Sequence, residues 1–371
     1  MDKSLAALQR AMTWIAMCTV CVTSAPARTS VKSKPHPVFT IRRGTNISHW
    51  LSQSNRRGEA RRAWFTRDDV VFLAGLGFDH LRIPVDEEQL WDEAGTPDEE
   101  AFGLLQNALD WCDGQNLKAV VDLHILRSHH FNAKEKPLWT DPGAQDCFIR
   151  CWRDLSARLG RRPVDKVAYE LMNEAVADDP EQWNRLIEQT MADLRRLEPG
   201  RVVVIGSNRW QSVNTFDALR IPENDPHIIL SFHFYTPMVV THYKASWTTV
   251  GRYTGPVHYP GRVVEDKDLS GLPKDLVDAV GGDRDFDRKK LERMLEKPLR
   301  VAEETGLPLY CGEWGCLPTV PEKDRLAWYS DMRKNLERHG IAWATWDYMG
   351  GFGLRDREGK PVEKLIRVLL K

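Results

Sequence analysis

Two glutamates end apolar runs in a way that burial alone does not require. Glu174 closes "VAYELMNE" (167–174) and Glu313 stands in "LPLYCGEWG" (307–315), each after a stretch of the kind that buries itself as a β-strand. Two carboxyls brought together support acid/base or nucleophilic chemistry. In glycoside hydrolysis their separation sets the outcome: roughly 5–5.5 Å lets one attack the sugar carbon, whereas roughly 6.5–9.5 Å admits a water and inverts that carbon. Other runs carry polar or aromatic groups toward their ends in the same way. They bring Arg82 in "HLRIPV" (80–85), His124 in "KAVVDLH" (118–124), Asn173 beside Glu174, His233 and Tyr235 in "IILSFHFY" (228–235), and Trp346 in "IAWATWDY" (341–348). One such residue reads as a satisfied structural group; six runs of eight doing it converge on one pocket.

The elements that must position these residues are legible in the pattern. Two further apolar runs, "VFTIRRGTN" (38–46) and "RVVVIGS" (201–207), bring the strand candidates to eight. Between strands lie amphipathic stretches of helical period, such as 99–116, 287–306 and 322–340. After residue 174, Asp179 is an N-cap candidate, with Pro180 at the first helical position and Gln182 at the third, for a helix that stops at Pro199-Gly200. Eight β/α units predict an α/β fold of one domain, a (β/α)8 TIM barrel, with a doubly wound open sheet as the alternative. In such a barrel the site is built at the C-terminal strand ends, where these residues fall.

The chain has 371 residues, 42% of them apolar, and a formal net charge of −1, which argues against nucleic acid or a membrane surface as a partner. Lys3 and Arg10 precede the apolar run 11–22 and the stretch ending at Ala27, so residues 1–27 read as a signal peptide with Ala25 and Ala27 at the cleavage site. The remaining 28–371 form the catalytic domain, and a secreted or periplasmic location is expected. Five of the seven cysteines lie beyond residue 27, an odd and sparse set with neither a disulfide framework nor zinc-ligand spacing.

The ordered set "LRIP", "DLH", "MNE", "HFY", "GEWG" and "WATWDYMGGFGL" resembles glycoside hydrolase family 5, the cellulase family, over nearly all of residues 40–355. The resemblance implies a retaining β-glycosidase with Glu174 as general acid/base and Glu313 as nucleophile. It implies that Arg82 keeps Glu313 ionised, Asn173 binds the sugar 2-hydroxyl, and Tyr235 bonds the nucleophile. His233 is expected near the acid/base, His124 beside the reacting sugar, and Trp346 beneath it. Asp122 and Asp347 read as structural. No metal or organic cofactor is expected, and the partner is a polysaccharide or oligosaccharide acted on by a monomer.

The expected substrate is β-1,4-glucan cut internally, with β-mannan, xyloglucan, mixed-linkage glucan or oligosaccharides as alternatives. Fourteen tryptophans suit sugar platforms. Trp50, Trp210, Trp247 and Trp314 fall on the active-site side, Trp210 being the best subsite candidate outside the catalytic set. Trp64, Trp111, Trp152, Trp183 and Trp328 sit in helical patterns where packing is expected. The long loop 236–286 is expected to bring Trp247, Tyr253 and Tyr259 to wall one end of the cleft, and such a wall can convert an open groove into a pocket that trims chain ends, the alternative to internal cutting. From another class, a metal-dependent barrel hydrolase would use His124, His233 and a carboxylate, but the His-x-His pair of such enzymes is missing from "GTNISHW".

Overall fold

Eight parallel strands close into a barrel in the computed structural model, which describes residues 39–371. They are β1 (Arg43–Asn46), β2 (His80–Val85), β3 (Lys118–Leu123), β4 (Val167–Glu170), β5 (Val203–Gly206), β6 (Ile228–Phe234), β7 (Leu309–Trp314) and β8 (Ala342–Thr345). Each pairs with its sequence neighbours, and β1 closes on β8 with Thr45 opposite Thr345. All eight expected strands are present, so the (β/α)8 barrel holds and the open sheet does not. The expected signal segment 1–27 lies outside the described residues. Among those residues no helix is long and apolar enough to cross a membrane.

Strand alternation explains how the barrel is filled. Every second residue turns inward, and the lower interior is an apolar layer of Val120, Ala168, Val204, Ile229, Tyr310 and Ala344, sealed by Phe39 and Val202. Two residues further along β3 and β4 the inward side chains are Asp122 and Glu170, joined by Arg82 of β2, all fully buried. The larger apolar core lies between the strands' outer faces and the helices.

The helix following the fourth strand runs Pro180–Leu197, with the expected capping box: the Asp179 side chain accepts backbone N–H groups, and Gln182 Oε1 accepts the Asp179 N–H at 3.1 Å. The expected helix 287–306 is instead two, Arg288–Arg293 and Glu296–Thr305. Pro298 has no N–H for the Met294 carbonyl, and its ring crowds that carbonyl, so the chain breaks one turn before it. Residues 236–286 are not a structureless loop; they hold the short helices Met238–Thr241 and Lys274–Val280, and Gly261–Arg262 pairs antiparallel with Asp285–Phe286.

Trp50 and Trp314 are core residues rather than cleft residues. The Trp50 indole donates to Arg61 O at 2.9 Å. Alternation sends Trp314 to the outer face of β7, among Trp328, Tyr329 and Trp343. Tyr253 and Tyr259 are likewise buried, donating to Pro256 O and Asp331 Oδ2, each at 3.0 Å. They anchor the loop to the body instead of walling the cleft.

A Cβ on Gly44 would lie 2.4 Å from His80 Nε2, whose ring is buried and sits 3.1 Å from the Tyr310 hydroxyl. Gly44→Ala therefore forces that ring out of place and is expected to destabilise the barrel by about 1–3 kcal/mol. A urea midpoint unchanged from the parent would contradict this close approach.

Candidate active site

At the C-terminal mouth of the barrel a cavity of about 700 Å³ is lined by Glu174, Glu313, Asn173, His124, Tyr235 and Trp346, among others. Its polar groups hang on Arg82. The guanidinium donates through Nη1 to Glu313 Oε1 at 2.7 Å and to Asn46 Oδ1 at 2.9 Å. Through Nε and Nη2 it forks onto Glu170 at 2.7 and 3.2 Å. Nη2 also reaches Asn173 Oδ1 and Asp122 Oδ2, each at 3.0 Å. The planar fork satisfies several acceptors at once, which an ammonium cannot do.

The two glutamates reach the mouth by different irregularities. On β7, the register against β6 shifts between Phe232 opposite Cys311 and His233 opposite Glu313, a bulge that turns the Glu313 carboxyl inward. After β4, the chain leaves the ladder at Glu170, and Glu174 takes a left-handed φ of 44°. That departure presents the successive residues Asn173 and Glu174 to one cavity, whereas neighbours in a regular strand face opposite sides. Three buried indoles pin this region: Trp152 donates to Leu171 O, Trp139 to Val176 O and Trp183 to Gly206 O.

The carboxyls have unequal surroundings. Tyr235 donates its hydroxyl to Glu313 Oε2 at 2.9 Å, and Arg82 bonds the other oxygen. Glu174 has His233 Nδ1 at 3.0 Å from Oε1, and the same nitrogen lies 3.5 Å from Glu313 Oε2. An oxygen of Glu174 and one of Glu313 lie within 4.8 Å of each other. Burial, and after it the Glu313 charge, push the Glu174 carboxyl well above the ordinary range. Burial also pushes Glu313 up, but Arg82 and the Tyr235 hydroxyl oppose it. A proton shared by the pair therefore rests on Glu174, and Glu313 is the ionised member. Burial, followed by the charge of Arg82, holds His233 well below its usual range, so its imidazole is neutral.

His124 Nδ1 is hydrogen-bonded to Asp122 Oδ2 at 2.7 Å, and its ring stacks on Trp346 with centroids 5.6 Å apart and planes 6° from parallel. Burial lowers its pKa to about 3, so it too is a neutral group facing the cavity. A metal set using both His124 and His233 is not among the groups with metal-ligand spacing in the described residues. Glu174, His233 and Glu313 do have metal-ligand spacing among the described residues, yet Arg82 already supplies the cation at Glu313.

Residues 44–351 match the family described as Cellulase (glycosyl hydrolase family 5). The chain belongs to that family. It is a glycoside hydrolase of the cellulase type. It is 29% identical over 343 residues to Endoglucanase C of Acetivibrio thermocellus, covering 90% of this chain and 99% of that one. It is 26% identical over 306 residues to Cellodextrinase A of Ruminococcus flavefaciens, covering 81% and 84% respectively. In fold it is similar to the endoglucanase Cel5A from Thermotoga maritima, with a TM-score of 0.72 at 21% identity over 88% of this chain and 96% of that one.

The barrel mouth of this cellulase-family chain thus brings together Glu174, Glu313, Arg82, Asn173, His124, His233, Tyr235 and Trp346. Trp210 stands apart: it is 44% exposed and is not among the residues lining the cavity. Of the long loop, Trp247 lines the cavity at 58% exposure, joined by His242, which sequence reasoning missed. Also missed were Glu170, Asn46 and Gln211. Glu170 was readable as a charge at an inward position of a buried strand; Gln211 carried no such signal.

Arg82→Met would leave Asp122, Glu170 and Glu313 buried without a counter-charge, at an expected loss of about 3–5 kcal/mol near neutral pH. Their folded pKa values then rise further above the unfolded ones. Stability from such groups is complete below the unfolded pKa and is lost as pH rises through the folded one. Chemical denaturation should accordingly show a smaller deficit at pH 5 than at pH 8; a pH-independent deficit would refute the charge argument.

Proposed function

We propose that this protein is an exported endo-acting β-1,4-glucanase that works as a monomer by double displacement, with the anomeric configuration retained. The observation that carries the mechanism is the short spacing of Glu174 and Glu313 together with their unequal electrostatics. Carboxyl oxygens within 4.8 Å of each other agree with the short separation of a retaining pair rather than the wider one of an inverting pair.

In the first step Glu313 attacks the anomeric carbon while Glu174 gives its proton to the departing glycosidic oxygen. In the second, Glu174, now a carboxylate, takes a proton from a water that attacks the same carbon, and the Glu313 ester is released. Asn173 has its amide oxygen on Arg82, which leaves its NH2 to donate to the sugar 2-hydroxyl. Tyr235 and Arg82 hold Glu313, while His124 and Trp346 form one wall for the reacting sugar.

Glucan as substrate is supported by relatives named endoglucanase and cellodextrinase. Internal cutting is supported by the extent of the groove: the catalytic cavity runs into a second of about 1050 Å³, and the two share His49, Gln53, Ser54, Asn55 and Gly351. Together they exceed the usual size of a small-molecule site. A second reading, trimming of short cello-oligosaccharides, is favoured by Trp247, which lines the catalytic cavity but not the second one. Export rests on residues 1–27.

Time-resolved NMR of cellotetraose hydrolysis decides the stereochemistry: β-configured product should appear first, and initial α-product would overturn the mechanism. Glu174→Ala should lower kcat/KM on cellotetraose by about 10²–10⁴-fold. Because the acid must be protonated, parent activity should fall as pH rises through the elevated Glu174 pKa, and this alkaline limb should vanish in Glu174→Ala. Viscosity loss of soluble β-glucan well ahead of sugar release marks endo-action; the two advancing together would favour trimming.

A further inference from the structure

Behind Glu174 lies a turn that the chemistry above does not use. Following β5, Arg209, Trp210 and Gln211 all take left-handed backbone angles, with φ of 56°, 61° and 51°. Three consecutive non-glycine residues in that region are costly, and such a run persists only where its surroundings dictate it. Here the surroundings are the Glu174 segment itself. The buried Asn208 side chain exchanges two hydrogen bonds with the Ala177 backbone, accepting at 2.8 Å and donating at 2.9 Å. Trp210 N–H donates to Ala175 O at 3.2 Å. Gln211, fully buried, accepts the Glu174 backbone N–H on Oε1 at 3.1 Å and donates from Nε2 to Glu170 Oε1 at 3.0 Å.

We propose that Gln211 is a positioning residue for Glu174, tying the backbone of the acid/base to the Glu170–Arg82–Glu313 chain so that both carboxyls keep one mutual geometry. This rests on the assignment of Glu174 as acid/base above. Glu174 has left the β-ladder, so its buried N–H needs an acceptor from elsewhere, and Gln211 Oε1 is that acceptor. The other end of the same amide holds the carboxylate on which Arg82 forks. The seat for this amide is made by Gly206, where a Cβ would stand 2.2 Å from Gln211 Nε2. The bracing of the acid thus comes from the turn after the next strand, whereas the nucleophile is braced by Arg82 and Tyr235.

The test separates placement of the acid from general packing by varying the leaving group. A 2,4-dinitrophenyl β-cellobioside departs without protonation, whereas cellotetraose needs the acid. Gln211→Leu should lose about tenfold or more in kcat/KM on cellotetraose and little on the dinitrophenyl substrate, with KM for cellotetraose nearly unchanged. Gln211→Glu keeps the acceptor but, when ionised, sets a negative charge against Glu170. Once protonated it again offers an acceptor and a donor. Its cellotetraose activity relative to the parent should therefore recover as pH falls from 8 to 5, and this arm stands if the leucine variant does not fold. Equal losses on both substrates, with no recovery at low pH, would mean that Gln211 only packs. Failure of the underlying assignment looks different: Glu174→Ala itself would then lack the leaving-group contrast.

Discussion

One buried guanidinium fixes the charge state of the barrel mouth. Arg82 touches Asp122, Glu170 and Glu313, and Glu174 stands close enough to Glu313 to feel its charge. Four carboxyls around one cation cannot all be ionised in a water-poor interior, where an uncompensated charge costs several kcal/mol. Some must hold protons, and the geometry decides which. Glu313 receives both a guanidinium and a phenol; Glu174 receives only a neutral histidine. Burial raises Asp122 to about 7, with Arg82 opposing, so this aspartate is a second place for a proton beneath the two glutamates.

This arrangement depends on the apolar layer below it. Val120, Ala168 and Val204 close the barrel beneath the charged layer, so Arg82 cannot be hydrated from the far end and its partners must come from the strands. Asn46 on β1, Asp122 on β3, Glu170 on β4 and Glu313 on β7 supply them. The same low-dielectric surroundings that make Arg82 expensive to bury make each of its contacts strong. They explain why a forked, always-charged side chain occupies the position.

Much of this could be read from the chain because a parallel barrel strand obeys a period of two and is buried on both faces. Apolar runs of the right length gave all eight strands, and polar residues toward their ends gave the two glutamates that meet at the mouth and their neighbours. What stayed hidden were departures from that period and choices of face. Trp314 adjoins Glu313 in sequence, yet its indole packs outward against Trp328 and Trp343. Tyr253 and Tyr259 carry the composition of a cleft wall but spend their rings on anchoring a loop. Pro298 split a helix whose amphipathic period ran on undisturbed. Gln211 acts through a left-handed turn built from Arg, Trp and Gln, residues with no propensity for it, so only tertiary contacts explain the turn.

The two irregularities beneath the glutamates differ in kind, and that difference suits their tasks. A bulge keeps Glu313 within the ladder, where β6 and β8 flank it and Arg82 grips it from below; the nucleophile proposed for this position, which must form a bond at one carbon, would gain from this rigidity. Glu174 has left the ladder, and its place depends on side chains: the Gln211 amide, the Asn208 clamp and three indole N–H groups on the neighbouring backbone. Such a segment stays ordered only if each of those buried polar groups is paired. The acid/base role proposed for Glu174, giving a proton to an oxygen in one step and taking one from water in the next, needs a fixed backbone and a carboxyl free of any cation. The departure after Glu170 supplies both, because it carries Glu174 away from Arg82 and onto His233.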